Sequence, residues 1–441
     1  MERIGVTFAT DGAETGDLTW GQRQVWTAMR EVGTSMSIGG VVPVGDGREA
    51  GDFAQELRFF LMRYPAMRTL LRIAPDGTTT QEVHGTGEAG LEVHTAEPAE
   101  GAQALADEIF AGWRARNFDY TREWPIRMAV VRAGDGGPVS HVVVMVCHIA
   151  TDAGGLGVMI RELAERATAG ERGAAGHLDL VARQRSAGRQ SDNAMRYWET
   201  QLRAIEPQRF ARFAEPDGDR FRQLVWRSPA LYLAGERLAA LLGVDAAPVM
   251  LAAYAVAFGR VAGGDGPFAA QVIISNRFRP GLADLVSPLA QNGLVVFDAK
   301  GVSAAEAVAR ARQASMSASK YAYYDPGARL ALFDRVAKER GEPIDLAVFH
   351  NERRVALSAP AEPPAEDAIR AALPRTELVR ETVLPYFNEK LMINIDDLPD
   401  TVQITTEADT AYLPLPDVRR LLSEMESFVV AAALDPSTHT F

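Results

Sequence analysis

The stretch Val142-Val143-Val144-Met145-Val146-Cys147-His148-Ile149-Ala150-Thr151-Asp152-Ala153-Gly154-Gly155 decides how the rest of the chain is read. A run of β-branched and apolar residues ends abruptly in His148. Asp152 follows four residues later, then small residues, and an apolar helical spacing opens at Leu156 and continues through Ile160 and Leu163. This pattern predicts a buried strand, a tight turn and a helix start. A strand that delivers a histidine to its end, with a carboxylate in the next turn, is one way to hold a general base. The same residues also suit a plainer arrangement, in which His148 ends a core strand and Asp152 caps the helix. Strand alternation puts Cys147 and His148 on opposite faces. Cys147 is therefore expected in the core, beside Val143, Met145 and Val146, and not in a Cys–His dyad.

Around that stretch the composition is ordinary for a globular protein. The chain has 441 residues, 47% hydrophobic and 24% charged, enough for one large core or two. Its net charge of -12 argues against nucleic acid or an anionic membrane as partner. A single cysteine excludes an internal disulfide and a cysteine-based metal cluster. The seven histidines show no metal-ligand spacing such as HExxH, so no metal is expected. Met1 to Gly5 carry no signal-peptide pattern, and no apolar run is long enough to span a bilayer, so a cytoplasmic location is the default expectation.

Upstream, residues 5 to 16 read as a strand and loop. Thr19 is a sound N-cap for a helix whose apolar spacing runs from Val25 to Met29. Phe53, Leu57, Phe60 and Leu61 fall at helical spacing, and that helix stops before Pro65. Residues 97 to 117 predict an amphipathic helix with Leu105, Ile109 and Trp113 inward. Val130-Val131, the Gly134-Asp135-Gly136-Gly137 turn and Val142 to Val146 predict a hairpin. Downstream, residues 168 to 192 are rich in Ala, Gly, Arg and Ser, and the boundary between halves is placed there, giving 1–180 and 181–441. A helix reopens at Asn193, and residues 236 to 262 predict one or two buried helices. Gln271 to Arg277 predict a strand ending in a polar turn. Residues 303 to 320 predict a helix, and 360 to 368 a surface loop. Two strands follow at 391–397 and 402–405, with a terminal helix from Leu415 to Leu434.

Several of these stretches, in this order, resemble one family. Cys147-His148-Ile149-Ala150-Thr151-Asp152-Ala153 resembles the HHxxxDG motif of nonribosomal peptide synthetase condensation domains, members of the chloramphenicol acetyltransferase-like superfamily. His148 and Asp152 match, Cys147 stands for the first histidine, and Ala153 for the glycine, with Gly154 one place late. Thr19, Gln22 and Trp26 match the SxAQxRLW motif, and Arg63, Arg68 and Thr69 match RHExLRTxF. Phe118-Asp119 through Trp124-Pro125 resembles FDL…GPL, and Tyr197-Trp198…Leu202 resembles the YW…L after the crossover. Ser275-Asn276-Arg277 resembles the SGR strand end, and residues 286–296 resemble GxFVNTLPLR, with either Gln291 or Asn292 in the place of the asparagine.

The resemblance implies an α/β fold of two acyltransferase-like halves, each a mixed sheet packed with helices, set as a V-shaped pseudo-dimer around a tunnel. It implies that His148 is the catalytic residue, as general base or as positioner of the nucleophile. It also implies that Asp152 pairs with Arg277, contributed by the second half, in a structural role suited to a bidentate geometry. Gly154 and Gly155 either let backbone approach the substrate and supply an N–H donor to the oxyanion, or simply form a permissive turn. The implied function is a free-standing acyltransferase of specialised metabolism. It would join an amine or alcohol to an acyl or aminoacyl thioester held on the phosphopantetheine of a carrier protein in trans, with no bound cofactor. Other readings on the same fold are a noncatalytic protein that recruits a partner enzyme, a coenzyme A-dependent acyltransferase and a cyclisation enzyme.

Overall fold

In a computed structural model of the chain, which describes residues 1–165, 176–206, 210, 213–216, 218–263, 266–354 and 362–440, the strand before His148 is an inner strand of a five-stranded sheet. The chain forms two compact units, Met1–Gly188 with Ser275–Ala290, and Arg189–Ile274 with Gln291–Phe441. The division thus differs from the expected one at 180/181, and the Ser275-Asn276-Arg277 turn belongs to the first unit. Both differences have local causes. A helix at His177–Arg185, with Leu180 and Val181 buried, extends the first unit. The segment 275–290 is held by groups of that unit, among them Asp152.

In chain order the first unit contains β1 (Glu2–Ala9), β2 (Glu14–Asp17), α1 (Trp20–Val32), β3 (Ile38–Pro43), α2 (Ala50–Arg63), β4 (Thr69–Ile73) and β5 (Thr79–Val83). It continues with β6 (Thr86–Ala96), α3 (Ala102–Arg114), β7 (Ile126–Ala133), β8 (Val139–Val146), α4 (Ala153–Ala164) and α5 (His177–Arg185). The main sheet has the order β1-β6-β7-β8-β3, antiparallel except between β6 and β7. β2, β5 and β4 form a small second sheet.

Alternation along β7 and β8 sorts the side chains into two layers. Ile126, Met128, Val130, Val142 and Val146 pack with Phe53, Leu57, Phe60 and Leu61 of α2 and with Val158 and Met159 of α4. Ala129, Val131, Val143, Met145 and Cys147 pack with Val25 and Met29 of α1 and Ala106 and Trp113 of α3. Each large apolar side chain buried this way contributes roughly 1.5–3 kcal/mol. β3 lies so close to β8 that a Cβ at Gly39, whose φ is 153°, would sit 2.0 Å from the Val144 carbonyl oxygen. Only glycine fits there.

The second unit contains α6 (Gly188–Ala204), β9 (Phe221–Ser228), α7 (Pro229–Leu242), α8 (Ala246–Ala262), β10 (Phe268–Ile274), β11 (Gln291–Phe297) and α9 (Ala304–Tyr321). Then follow α10 (Pro326–Arg340), β12 (Val348–Glu352), α11 (Glu366–Ala372), β13 (Glu377–Val383), β14 (Leu391–Leu398), β15 (Thr401–Asp409) and α12 (Leu415–Leu434). They build a mixed sheet of order β11-β10-β12-β14-β15-β9-β13. α8 is apolar all round, with Val249 to Phe258 buried, the mark of a helix enclosed by its neighbours. It is separate from α7, which ends at Gly243 in the left-handed conformation.

Part of the loop expected at 360–368 lies outside the described residues. The rest is a correction: α11 begins at Glu366 because Ile369 and Ala372 supply a buried face. Among the described residues no single helix is long and apolar enough to cross a membrane, and no group of three or more His, Cys, Asp or Glu is placed to hold a metal.

Candidate active site

His148 lies two residues beyond β8. The strand ends because the chain turns there: the Cys147 N–H donates to the Pro125 carbonyl, just before β7, and the Ala150 N–H to the Cys147 carbonyl. His148 is half-buried, and its Nδ1 is 2.9 Å from the Thr151 carbonyl oxygen. A carbonyl oxygen only accepts, so Nδ1 carries the hydrogen and a neutral ring has its lone pair on Nε2. The turn therefore selects the tautomer a general base needs.

Asp152 is buried and saturated. Its Oδ1 accepts from the Gly155 N–H at 2.8 Å and from Arg277 Nη2 at 2.5 Å, and its Oδ2 from the Leu289 and Ala290 N–H groups at 2.8 and 3.0 Å. It caps α4 and binds the 275–290 segment at once. The pair with Arg277 is not bidentate. Arg277 spends Nη1 on the Leu285 carbonyl, and among the described residues its Nε lacks a partner. The reason lies in the two glycines. A Cβ at Gly154 would stand 2.2 Å from Arg277 Nε, and one at Gly155 2.0 Å from Thr151 Oγ1 and 3.0 Å from Arg277 Nη2. Both leave room for a guanidinium lying flat on the start of α4. The Gly155 N–H is already given to Asp152, which takes it away from an oxyanion. Ala153 is the exposed first residue of α4.

Cys147 points the other way, fully buried, with Sγ 3.8 Å from the Ser35 carbonyl oxygen. Burial pushes its thiol up to about 12. Gln291 and Asn292 lie in the second unit at the start of β11. Gln291 Nε2 donates to the Tyr324 carbonyl at 2.9 Å, and Asn292 Nδ2 to Gln271 Oε1 at 2.9 Å.

The sequence reading missed Ser35 and His177. Ser35 accepts the His148 N–H on its carbonyl at 3.4 Å, while its hydroxyl meets Tyr120 and the Phe118 N–H. His177, at the start of α5, lies fully buried in a cluster with Gln22 and Gln81. A signal for it existed: His177, Leu180, Val181 and Gln184 share one buried face at helical spacing. Half of that face is polar, so apolar periodicity alone passes over it.

The chain belongs to the condensation-domain family, whose model matches residues 44–328. Its fold is that family's, a mixed α/β fold of two chloramphenicol acetyltransferase-like halves. No curated protein sequence matches it. Among solved structures it is similar to a condensation domain for chain release from the enacyloxin polyketide synthase (19% identity, TM-score 0.73, covering 97% of this chain and 84% of that one). It is also similar to the SgcC5 protein of Streptomyces globisporus, solved with a naphthyl ethanediol and sucrose (16% identity, TM-score 0.71, 96% and 100%). A third is the complex of the X-domain with OxyB from teicoplanin biosynthesis (19% identity, TM-score 0.66, 100% and 98%).

Proposed function

We propose that the protein is an acyltransferase that forms an amide or ester from a thioester carried on the phosphopantetheine of a carrier protein. The observation that carries this reading is the fixed tautomer of His148. With Nδ1–H committed to the Thr151 carbonyl, Nε2 can accept the proton of an amine or alcohol as its nitrogen or oxygen attacks the thioester carbon. The tetrahedral intermediate collapses by breaking the C–S bond. The proton then passes from His148 to the departing thiolate, so the products are the amide or ester and free thiol. Asp152, with four hydrogen bonds, has no role in proton transfer and holds the turn.

The test is product formation, read by mass spectrometry, from a loaded carrier protein and a panel of amines and alcohols. Wild type should release thiol and form product. His148→Ala should lose about 10²–10⁴-fold with an unchanged thermal melt. Full turnover by a folded His148→Ala would remove His148 from the chemistry.

A second reading, a noncatalytic protein that recruits an enzyme, is favoured by Cys147 and Ala153 standing where the family motif has histidine and glycine. The similarity to the X-domain seen with OxyB agrees with it. Absence of turnover with every donor, together with capture of a partner enzyme, would support that reading instead.

A further inference from the structure

His177 stands at the centre of a buried polar cluster that touches both the histidine turn and the arginine segment. Its Nε2 is 3.3 Å from the Ala150 carbonyl oxygen, and the Val286 backbone carbonyl also lies against the ring. Its Nδ1 is 2.8 Å from Gln22 Nε2. The Ala150 carbonyl only accepts, so Nε2 donates to it, while Nδ1 sits between the Gln22 Nε2 donor and the Gln81 Oε1 acceptor, the latter at 2.9 Å. Gln22 Nε2 reaches the Ile149 carbonyl at 3.3 Å, so consecutive carbonyls of the histidine turn are bonded from one side. The cluster is itself anchored. Gln22 Oε1 accepts from the Thr19 N–H at 2.9 Å, the capping box of α1, and Gln81 Nε2 donates to Gln22 Oε1 and to the Asp17 carbonyl. Burial holds His177 neutral by pushing it down to about 4.

We infer that His177 is a positioning residue for His148: a neutral imidazole that fixes the carbonyls of the 149–150 turn, and through them the ring orientation and tautomer of His148. The link is short. The Ala150 carbonyl that His177 binds lies one residue before Thr151, whose carbonyl holds His148 Nδ1–H. If the turn rotates, that carbonyl leaves Nδ1, and nothing then favours the tautomer with Nε2 free. α5 thus acts as a brace for a turn that has no regular hydrogen-bond ladder of its own.

The inference rests on the catalytic reading of His148, and two readouts separate the two ideas. The first needs no substrate: long-range proton–nitrogen correlation spectra of the imidazoles, with His148 assigned through His148→Ala. The second is steady-state turnover of a loaded carrier. Three variants are compared. His177→Gln keeps a donor where Nε2 was, His177→Asn keeps an amide near the Nδ1 position but is too short to place a donor where Nε2 was, and His177→Leu keeps neither.

Wild type and His177→Gln should show one His148 tautomer, protonated at Nδ1. His177→Asn and His177→Leu should show a mixture, with kcat down about 10²-fold and KM little changed. Should His177→Leu not fold, the Gln and Asn pair decides, since only the donor to Ala150 distinguishes them. An unchanged His148 tautomer in folded His177→Asn would overturn the inference, whatever the turnover shows. Absent wild-type turnover with the tautomer shift intact would instead refute the catalytic reading and leave the positioning contact standing.

Discussion

Two buried histidines, one in each unit, are handled in opposite ways. His177 in the first unit is bonded at both ring nitrogens, to Gln22 on one side and to the Ala150 carbonyl on the other. His350 on β12 of the second unit lies in a cross-strand row with Val272 and Ile393, stacked on Tyr254 with ring centroids 6.1 Å apart. Among the described residues its Nε2 has no partner, and neither does Thr406 Oγ1, opposite Ile393 on β15. Both rings are pushed down to about 4 by burial. A satisfied buried network dictates one geometry, while a lone buried polar group only burdens the fold. The polar groups around the histidine turn are thus organised to fix atoms, and those at His350 are tolerated within a large apolar core. Asp152 carries the first case furthest, with four donors on two oxygens.

The largest expected effect tests that extreme. Asp152→Ala leaves the half-buried Arg277 without its counter-ion, and Arg277→Ala strips one donor from a buried carboxylate that stays charged. Removing either partner of such a pair costs about 3–5 kcal/mol. The double variant should cost less than the sum of the two single ones. Denaturant melts of the four proteins measure this. Strict additivity would mean that the pair is not a coupled unit, and the contrast drawn between the two regions would lose its strongest member.

The next effect compares the histidines directly. An unfolded imidazole takes up a proton near pH 6.5, whereas His177 and His350 in the fold do so only near 4. Unfolding therefore binds protons between those values, so stability is complete above pH 6.5 and falls as pH drops toward 4. The loss is on the order of 3 kcal/mol per histidine. His350→Leu should remove its share and flatten the acid limb. At pH 7.5 it should be neutral or slightly stabilising, since no hydrogen bond at Nε2 is lost. His177→Leu should be destabilised at pH 7.5 by about 1–3 kcal/mol, because the Ala150 carbonyl and Gln22 lose their partner. Equal behaviour of the two variants at pH 7.5 would break the comparison.

The comparison also shows which parts of the molecule the sequence made legible. Elements with a clean apolar period were readable: α1 from its Thr19 cap, α2 from Phe53, Leu57, Phe60 and Leu61, β8 from its valines, and α12 from Leu415 to Leu434. His148 and Asp152 stood out because a polar residue ends an apolar run. What stayed hidden depends on distant polar groups meeting in space. Gln22, Gln81 and His177 lie on α1, β5 and α5, and no spacing connects them. The assignment of Arg277 to the second half failed for a related reason. Residues 275–290 leave β10 and are claimed by hydrogen bonds to the first unit, which strand periodicity does not record.

The smallest expected effect concerns Cys147, which turns into the apolar layer of the first unit while its neighbour His148 does not. Its surroundings are Val143, Met145, Ile149 and Trp113, with the long contact to the Ser35 carbonyl and the Ile149 backbone N–H as polar neighbours of the thiol. With the thiol pushed up to about 12, almost no thiolate exists at neutral pH. Native protein should therefore resist a small alkylating agent and react fully once unfolded, as read by intact mass. Cys147→Ser keeps the size and gives the Ser35 carbonyl a stronger donor. The polar atom is added to an apolar layer, so the net change should be a loss of about 1 kcal/mol, with most turnover retained. Cys147→His, which restores the family's first histidine, forces a ring into a filled layer and should destabilise by about 1–3 kcal/mol without raising turnover. Rapid labelling of the folded protein that also stops turnover would place the thiol beside the reacting groups. It would then join the satisfied network around His148, and the division between an apolar layer on one side of β8 and a polar turn at its end would no longer hold.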